Sequence, residues 1–580
     1  MHYFCRFYLL FESMRLSNKL VYSCFTTNSL FSRGNQASLR PYHNFLTTMA
    51  SKEQWKQSDP IQSEDARSRL DVWPLDKYNT VLLNEVHPLN YENPSDPLPL
   101  YDLVVIGAGA GGLVSSKQAA RRGAKSVMIS EYLAGGDCLN VGCVPSKALI
   151  RCARAITEVR RHSEFGIDLG AAAPSIQVNF PSIMERLRKL RATIAPADGH
   201  GGTTSTGVQV FQGRGRFTSS DTIEVDGKVL KFRKAVIATG GRPSLPPVKG
   251  LSDAPYTTNE RLFNLETLPP RMVILGAGVI ALEMAQTFQA FGTDVTVIQR
   301  SKRLFASKGG DAEAGELLQK ILEEGGVTVL TETATKEVTT ISTPEEGDTK
   351  TLPLMKVSVS FKDGTEKDLE CECLLVATGR LPNVGDLGLE AAGVEYDEKK
   401  GVLIDDNACA LGNPNVYAVG DCAAGVPRLT HMSGEMAKVV VQNALFQDDW
   451  KISSLVVPAV MYTEPEYATV GLSGEDMAAK AGVEVDVYRA GLEHNDRAIL
   501  ESDNVGFCKI FCLKGTGTIV GATIVAARAG EIINEVTLAM KHNIGLDGIG
   551  RNIHAYPTTG EAVMGCGLQF INSKWAKLDH

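Results

Sequence analysis

Apolar runs interrupted by glycine turns begin abruptly at Tyr101. The stretch 101–131 is typical of a buried strand, a glycine-rich turn, a helix with one apolar face, and a second buried strand that ends at Glu131. The stretch beginning at Arg271 repeats this order about 170 residues later. Two such strand–helix–strand units predict two doubly wound, Rossmann-type α/β domains with parallel sheets.

Shorter apolar runs locate further strands. Two of them end alike, in ATGGRP at 238–243 and ATGRLPN at 377–383, and a third ends in VGDC at 419–422. After about residue 455 the glycine turns become rarer, and strand-like segments at 507–513 and 518–527 precede a helical segment at 531–542. This change of pattern predicts a separate C-terminal α+β domain.

The first 50 residues do not share this pattern. They contain one acidic residue, Glu12, against five Lys or Arg, together with ten Ser or Thr. This composition is typical of an organelle transit peptide, and we expect a mitochondrial rather than a plastid address. If translation starts at Met49 instead, we expect a cytoplasmic protein. Residues 51–99 are polar and punctuated by proline, which predicts a surface extension.

The composition excludes several classes of protein. The formal net charge is 59 − 67 = −8 and no dense basic stretch occurs, which argues against nucleic acid as a partner. The longest run without charged or strongly polar residues, 272–282, is too short to cross a bilayer, so we exclude a membrane-spanning protein. Twelve cysteines in 580 residues are too sparse for a secreted disulfide scaffold.

The first glycine turn carries a dinucleotide fingerprint. Gly107, Gly109 and Gly112 fit G-x-G-x-x-G between a strand and a helix. The first two glycines let the backbone approach a pyrophosphate at the helix N-terminus, and the third permits close packing of helix on strand. Glu131 stands at the end of the next strand, where a carboxylate can accept a hydrogen bond from a ribose 2′-hydroxyl.

The second unit differs in a way that favours another nucleotide. Its fingerprint is Gly276, Gly278 and Ala281, and its second strand ends in the string QRSKR at 299–303. Arg300 and Lys302 would attract a 2′-phosphate, which an acid at this place would repel. The string therefore predicts NADPH, with NADH as the weaker alternative. Two different nucleotides in one chain suggest a flavin and a nicotinamide that exchange electrons.

Two cysteines are placed for redox chemistry. Cys138 and Cys143 are separated by four residues and directly precede a segment with helical apolar spacing. A thiol at a helix N-terminus has a lowered pKa, which favours the reactive thiolate. Two such thiols beside a dinucleotide site form a dithiol that can exchange electrons with a flavin.

The other cysteines favour packing. Cys371 and Cys373 alternate with glutamates, which predicts that they share the core face of one strand. Cys508 and Cys512 would lie about 13 Å apart on a strand, too far for a bond.

From about residue 100 to 575 the chain resembles the flavin-dependent pyridine nucleotide–disulfide oxidoreductases, a family that includes dihydrolipoamide dehydrogenase, glutathione reductase and mercuric reductase. The resemblance is carried by GAGAGG at 107–112, CLNVGC at 138–143, GAGVIALE at 276–283, ATGRLPN at 377–383, GDC at 420–422 and YPTTGE at 556–561. It implies a homodimer whose last domain is the dimer interface and lends its C-terminal residues to the partner's active site.

The resemblance also implies a division of the chain and roles for its residues. The FAD-binding domain would comprise 100–255 and 386–454, the NAD(P)-binding domain 256–385, and the dimerisation domain 455–575. Cys143 would be the thiolate facing the flavin, Cys138 would attack substrate, and Lys147 would pair with Glu283. The other expected cofactor residues are Gly107, Gly109, Gly112, Glu131, Gly240 and Asp421 for FAD, and Gly276, Gly278, Ala281, Arg300, Lys302 and Gly379 for NADP.

The chain departs from the disulfide-reducing members at the catalytic base. Their motif places histidine five residues before a glutamate, but here Tyr556 stands five residues before Glu561, and His554 comes two residues early. A phenol with an ordinary pKa of about 10 is a poor proton shuttle at neutral pH. In this respect the chain resembles mercuric reductase, although only Cys566 stands where that enzyme has an adjacent cysteine pair.

Three hypotheses follow for the acceptor. The first is reduction of a soft metal ion, Hg²⁺ to Hg⁰, with Cys138, Cys143 and Cys566 as candidate ligands of the ion, because thiolates favour soft ions. For Cys566 the alternative is a small packed residue, since free cysteine is usually buried. No structural metal site is expected. The second is a dihydrolipoyl dehydrogenase or another disulfide reductase. The third is a non-catalytic flavoprotein subunit, against which the intact cysteine pair argues.

Overall fold

The computed structural model describes residues 70–170, 177–306, 309–345, 348 and 350–575. The expected transit peptide, at 1–50, lies outside these residues. The strands of the described part are, in chain order, β1 (Tyr101–Ile106), β2 (Ser126–Ser130), β3 (Gln209–Gln212), β4 (Arg216–Ser219), β5 (Thr222–Val225), β6 (Lys228–Ile237), β7 (Gly241–Pro243), β8 (Arg271–Leu275), β9 (Asp294–Ile298), β10 (Thr328–Leu330), β11 (Thr333–Ser342), β12 (Leu354–Phe361), β13 (Glu366–Cys371), β14 (Cys373–Val376), β15 (Arg380–Pro382), β16 (Tyr396–Asp397), β17 (Gly401–Val402), β18 (Val416–Ala418), β19 (Pro458–Met461), β20 (Glu466–Gly471), β21 (Val485–Gly491), β22 (Phe507–Leu513) and β23 (Ile519–Ala526).

The α-helices of the same residues are, in chain order, α1 (Lys77–Val86), α2 (Ala110–Arg121), α3 (Gly136–Asn140), α4 (Cys143–Arg160), α5 (Phe180–Asp198), α6 (His200–Thr204), α7 (Asn259–Leu262), α8 (Val279–Phe291), α9 (Ala312–Glu324), α10 (Leu389–Ala392), α11 (Thr430–Phe446), α12 (Glu475–Lys480), α13 (Asp496–Leu500), α14 (Ala529–Lys541), α15 (Leu546–Arg551) and α16 (Glu561–Ser573).

The first glycine fingerprint lies in a sheet with the order β3-β2-β1-β6, in which all neighbours are parallel. β18 pairs parallel with the end of β6, although about 180 residues separate them in sequence. β4 and β5 extend β6 as an antiparallel ribbon. Most residues of β1 are buried because the sheet is covered on both faces, which explains its continuous apolar run.

The second fingerprint lies in a parallel sheet with the order β10-β9-β8-β14. Its Met272 and Ile274 pack with α8, whereas Val273 and Leu275 pack with the antiparallel sheet β11-β12-β13. The two faces therefore contact different cores.

The prediction that Cys371 and Cys373 share one face of a strand is wrong. Cys371 ends β13 and Cys373 begins β14, so the residue between them, Glu372, lies where the chain passes from one sheet to the other. Both cysteines are buried, but they belong to the cores on opposite faces of the parallel sheet. The Glu372 carboxylate is held outside both cores by the Arg271 guanidinium, with Nη2 to Oε1 at 2.6 Å.

The C-terminal part contains an antiparallel sheet with the order β19-β20-β23-β22-β21. Helices α14 and α16 contribute Ile533, Val536 and Val563 to the core that forms on it. The predicted fold class, two Rossmann-type units followed by an α+β domain, is confirmed. In the part of the chain that the structure describes, no helix is both long and apolar enough to cross a membrane.

The interpretation of residues 51–99 as a surface extension is wrong for the described part, 70–99. Helix α1 buries Leu82, Leu83 and Val86 completely. Leu82 and Val86 share a core with Leu113 of α2 and with other residues of the first nucleotide-binding unit. The apolar spacing 82, 83 and 86 is helical, but it is short, and the surrounding prolines and polar residues hide it in the sequence.

Candidate active site

The turn after β1 is built for a close approach of the backbone to a ligand. Gly107 has a φ of +112°, and a Cβ on it would lie 2.2 Å from the carbonyl oxygen of Ala238, the residue that follows β6. A Cβ on Gly112 would lie 1.9 Å from the Gly107 oxygen, so α2 packs directly on the turn. Gly109 precedes α2, and among the described residues no side chain caps that helix. The first backbone N–H groups of α2 therefore fit a pyrophosphate, as FAD would present.

The other residues expected at FAD surround this turn. Glu131 follows β2 and accepts a hydrogen bond from Arg214 Nη1 at 2.7 Å. A Cβ on Gly240, whose φ is +68°, would meet no atom of the described residues within 4 Å. Asp421 accepts a hydrogen bond from Arg380 Nε at 3.0 Å. The same guanidinium also donates to Asp137, beside the first cysteine, so it connects the expected flavin site with the dithiol.

The second fingerprint has the same geometry. Gly276 has a φ of +98°, and a Cβ there would lie 2.7 Å from the Ala377 oxygen. Within the described ranges, a Cβ on Gly278 would meet no atom within 4 Å, and neither would one on Gly379. Ala281, the third fingerprint residue, is fully buried in α8. The backbone around Gly278 is therefore open to a second dinucleotide.

Strand register decides which residue replaces Glu131 in the second unit. The Gly107 N–H donates to the Ile129 carbonyl and the Gly276 N–H donates to the Ile298 carbonyl, so Arg300 stands where Glu131 does. Arg300 is exposed.

The neighbours of Arg300 divide between the interior and the surface. Gln299 is turned inward, since its amide donates to the Arg303 carbonyl oxygen at 2.6 Å. Arg303 itself pairs with Asp476 at 2.9 Å. Lys302 is exposed and lines a cavity of about 440 Å³ together with Lys320. Of the three cations in the string, Arg300 and Lys302 are therefore the ones available to a phosphate.

The two cysteines of the CLNVGC string lie on successive helices. Cys138 is in α3, and Cys143 is the first residue of α4, an 18-residue helix whose N-terminus has no side-chain cap in the part of the chain that the structure describes. A Cβ on Gly142 would lie 2.7 Å from the Asp137 oxygen, so glycine lets the two helices meet closely. The predicted start of the helix at the second cysteine is observed.

The pKa values of the two thiols in the reduced pair are shifted in opposite directions. A hydrogen bond from Cys138 lowers the pKa of Cys143 to about 6, and Thr430 and the positive charge of Lys147 act in the same direction. The same hydrogen bond raises the pKa of Cys138 far above its usual value. Cys143 is therefore the thiolate and Cys138 the thiol of the reduced pair.

Two residues of this site were not found from the sequence. Thr430, the first residue of α11, lies with its Oγ1 3.3 Å from Cys143 Sγ. Tyr462 donates its backbone N–H to Glu283 Oε1 at 2.9 Å, and its ring lies 4.4 Å from Lys147 Nζ. Both residues are distant in sequence from the cysteines, and no local pattern marks them.

The expected pair Lys147–Glu283 is observed. Lys147 Nζ lies 2.9 and 3.1 Å from the two carboxylate oxygens of Glu283. Glu283 is 2% exposed, so its charge is compensated almost entirely by this ammonium group and by the backbone N–H of Tyr462. Lys147 is one helical turn after Cys143, which brings its positive charge to the thiolate.

In the described part of the chain, Tyr556 and Glu561 are not hydrogen-bonded to each other, and the nearby His554 pairs with a glutamate outside the motif. Tyr556 is 71% exposed and donates to Asp496 Oδ2 at 2.8 Å. Glu561 accepts from the Thr558 backbone N–H at 3.0 Å. His554 lies with Nε2 2.9 Å from Glu535, a different carboxylate. Within the described residues of one chain, none of these groups hydrogen-bonds to the dithiol segment.

Cys566 does not remain a candidate metal ligand. It is fully buried in the core of the C-terminal domain, and its thiol donates to the carbonyl oxygens of Tyr488 and Cys508 at 3.4 Å each. A metal ion could reach this sulfur only if the core opened. The apolar face of α16 places it there, as expected for the alternative that Cys566 is a packed residue.

Comparisons with known proteins agree with this arrangement. The family model described as pyridine nucleotide-disulphide oxidoreductase matches residues 101–437, and the model of its dimerisation domain matches 457–565. A mercuric reductase of Lysinibacillus sphaericus is 32% identical over 475 residues, which are 82% of this chain and 83% of that protein. A dihydrolipoyl dehydrogenase of Staphylococcus aureus is 34% identical over 472 residues, covering 80% and 95%.

A solved structure shows the same fold. The HOCl-induced flavoprotein disulfide reductase RclA of Escherichia coli superposes with a TM-score of 0.67 at 23% identity, covering 80% of this chain and 98% of that one.

Proposed function

The chain belongs to the pyridine nucleotide–disulphide oxidoreductase family, and we propose that it uses NADPH and the Cys138–Cys143 pair to reduce a soft metal ion, Hg²⁺ to Hg⁰. Members of this family are FAD-dependent oxidoreductases that use a pyridine nucleotide, and the chain carries the family's dimerisation domain. The identity of the acceptor and the choice of NADPH belong to the proposal.

One observation supports a metal acceptor over a disulfide. Disulfide exchange needs a base that moves a proton to and from a thiol, and general acid–base catalysis contributes about 10²–10⁴-fold. Here the expected position holds Tyr556, whose pKa is raised by its hydrogen bond to Asp496, and His554 is paired with Glu535. A metal ion needs no such base because thiolates bind it directly.

The residues of the dithiol site have different roles in the proposed reaction. When bound, FAD supplies the relay that carries two electrons from NADPH to the dithiol site. Lys147 and Thr430 stabilise the Cys143 thiolate, and Cys138 holds the remaining proton until Hg²⁺ displaces it and both sulfurs bind the ion. The overall reaction balances as NADPH + Hg²⁺ → NADP⁺ + H⁺ + Hg⁰, with the proton released to water.

The preference for NADPH is supported by Arg300, which stands where the first unit has Glu131. We expect kcat/KM to favour NADPH over NADH by at least about tenfold, which is about 1.4 kcal/mol. Arg300→Glu should reverse the preference, whereas Arg303→Gln, at a cation already paired with Asp476, should change it little. Equal efficiency of both nucleotides in the unchanged protein would contradict this assignment.

The acceptor is tested with the purified, FAD-loaded protein. Hg²⁺ supplied as a thiol complex should cause NADPH consumption and release of mercury vapour, and Cys138→Ala should abolish both. Dihydrolipoamide and oxidised glutathione should turn over slowly, and Tyr556→His should raise that turnover within the range given above. Rapid lipoamide turnover without mercury vapour would refute the proposal in favour of a dihydrolipoyl dehydrogenase.

A further inference from the structure

The described residues that precede the family's domains are attached to the segment that carries the first cysteine. We call residues 71–87, which include α1, the N-terminal strap. The family model begins at residue 101, so the strap lies outside the matched region. Its Leu82 and Val86 share a core with Leu139 of α3, the helix that contains Cys138. The strap is therefore packed on the redox-active segment.

Hydrogen bonds fix the beginning of that segment to the strap. The backbone N–H of Ala134, in the turn before α3, donates to the Val86 carbonyl oxygen at 2.9 Å. His87 Nδ1 lies 3.2 Å from the carbonyl oxygen of Tyr132 in the same turn. The end of α1 therefore determines where the chain enters α3.

A buried arginine fixes the end of the segment. Arg191 of α5 is 2% exposed, and it donates from Nη2 to Asn79 Oδ1 of α1 at 2.9 Å and from Nη1 to the Asn140 carbonyl oxygen at 2.7 Å. Asn140 is the last residue of α3. Its own side chain donates to the Ala134 and Gly136 carbonyl oxygens, at 3.0 and 2.9 Å, which closes the segment on itself.

Arg191 differs from the arginine one turn earlier on the same helix. Arg188 forms an ordinary ion pair with Asp76, the residue that caps α1, at 2.7 Å. In the described residues Arg191 has no carboxylate partner, and its buried charge is directed instead at the carbonyl end of α3 and at an amide oxygen. Burial lowers the pKa of Arg191 to about 10, so it remains a cation at neutral pH. Burying a cation against neutral oxygens costs free energy, and two helices could be attached to each other without that cost by apolar contacts.

We propose that Arg191 is a positioning residue for the redox pair: held by Asn79 of the strap, it fixes the carbonyl end of the helix that carries Cys138. The inference rests on the proposed redox role of Cys138 and Cys143. The distance between the two sulfurs depends on how α3 meets α4, and Arg191 holds the last residue before the connecting turn. Loss of this contact should therefore displace Cys138 without touching the cysteines, the nucleotide sites or the acceptor.

The test compares Arg191→Met with Arg188→Met, which breaks the ordinary ion pair between the same helices. The FAD-loaded full-length protein is mixed with NADPH, and the rate of disulfide reduction is followed by absorbance. The alkylation rate of the Cys143 thiolate by iodoacetamide is measured on the dithiol-reduced protein as a readout that does not use the flavin; it depends on where Cys138 lies, because the hydrogen bond from Cys138 lowers the pKa of Cys143. Arg191→Met should slow disulfide reduction by about tenfold, because misplacement of reacting groups by about 1 Å has effects of this order or larger. It should also change the alkylation rate at least about threefold, a change that follows from loosening of α3.

Arg188→Met removes a buried arginine that is paired with Asp76, so the melting temperature should fall to a comparable extent. Both rates should nevertheless stay within about twofold of those of the unchanged protein. Arg191→Lys, which keeps the charge, should restore part of the reduction rate. If Arg191→Met does not fold, Asn79→Ala replaces it, since that variant leaves Arg191 but removes its hold from the strap. Equal effects of the substitutions at 188 and 191, or no effect of either, would overturn the inference. Absence of NADPH-driven disulfide reduction in the unchanged protein would refute the proposed function, while the alkylation rates would still decide the role of Arg191.

Discussion

The hydroxyl of Thr430 offers a direct test of how the protein stabilises its thiolate. Thr430 Oγ1 lies 3.3 Å from Cys143 Sγ. A thiolate has no proton to donate, so once Cys143 is ionised the Thr430 hydroxyl is the donor of this hydrogen bond. Thr430→Val removes the donor and keeps the shape of the side chain. We expect the pKa of Cys143 to rise, since a hydrogen bond to the charged form favours that form.

The size of the effect follows from two magnitudes. A hydrogen bond to a charged group contributes about 1.5–3 kcal/mol, and each pH unit in a midpoint corresponds to about 1.36 kcal/mol. Sulfur is a weak acceptor, so we take the lower limit and expect the midpoint to move up by about one pH unit. The pKa of Cys143 in the unchanged protein is lowered to about 6, so at pH 7 the thiolate should fall from about nine-tenths to about half of the population.

The assay is the long-wavelength thiolate-to-flavin absorbance of the two-electron-reduced, FAD-loaded protein, recorded between pH 5 and pH 9. This band requires the thiolate, so it is present above the Cys143 pKa and is lost as the pH falls through it. Thr430→Ser keeps the hydroxyl and should titrate like the unchanged protein. The reasoning is refuted if Thr430→Val leaves the midpoint unchanged, or if Thr430→Ser moves it as far. Cys143→Ser should abolish the band while FAD stays bound.

Two further predictions concern the nucleotide turn and the C-terminal core. Gly112→Ala should yield protein that has lost most of its FAD, because the added Cβ would lie 1.9 Å from the Gly107 oxygen. The FAD content is measured as the ratio of flavin to protein absorbance. A fully loaded variant would show that α2 can move away without loss of the FAD site. Cys566→Ala should lower the free energy of unfolding by about 1–2 kcal/mol in denaturant titrations and leave NADPH-dependent turnover unchanged, since the thiol is a packed core group. Loss of turnover at unchanged stability would restore Cys566 as a functional residue.

The features that could be predicted from the sequence are the local ones. The glycines at 107 and 112 and the apolar runs beside them determine a strand, a turn and a helix within about 30 residues, so their pattern is enough to predict the unit. Cys143 could be placed at a helix start because the glycine before it and the apolar spacing after it are adjacent in the chain. The pairing of Lys147 with Glu283 was expected only from resemblance to a family, since 136 residues separate them.

The tertiary structure decided what depends on contacts between distant segments. Thr430 reaches Cys143 because α11 begins beside α4, and nothing near residue 430 indicates a thiol. Arg191 joins the strap to α3 because the inner face of α5 contacts both, whereas an arginine in an amphipathic helix is ordinarily exposed.

Strand register and side-chain burial likewise could not be predicted from the local sequence pattern. Arg300, and not its inward-turned neighbour Gln299, occupies the position of Glu131. The hydrogen bonds from the Gly107 and Gly276 N–H groups show this, because Glu131 and Arg300 each lie two residues after the carbonyl that accepts. Cys566 is buried because the face of α16 that carries it is covered by β21 and β22. Sequence by itself determined the elements and the chemistry they carry; the packing of elements far apart in the chain decided which side chains meet, since only folding brings them within hydrogen-bond distance.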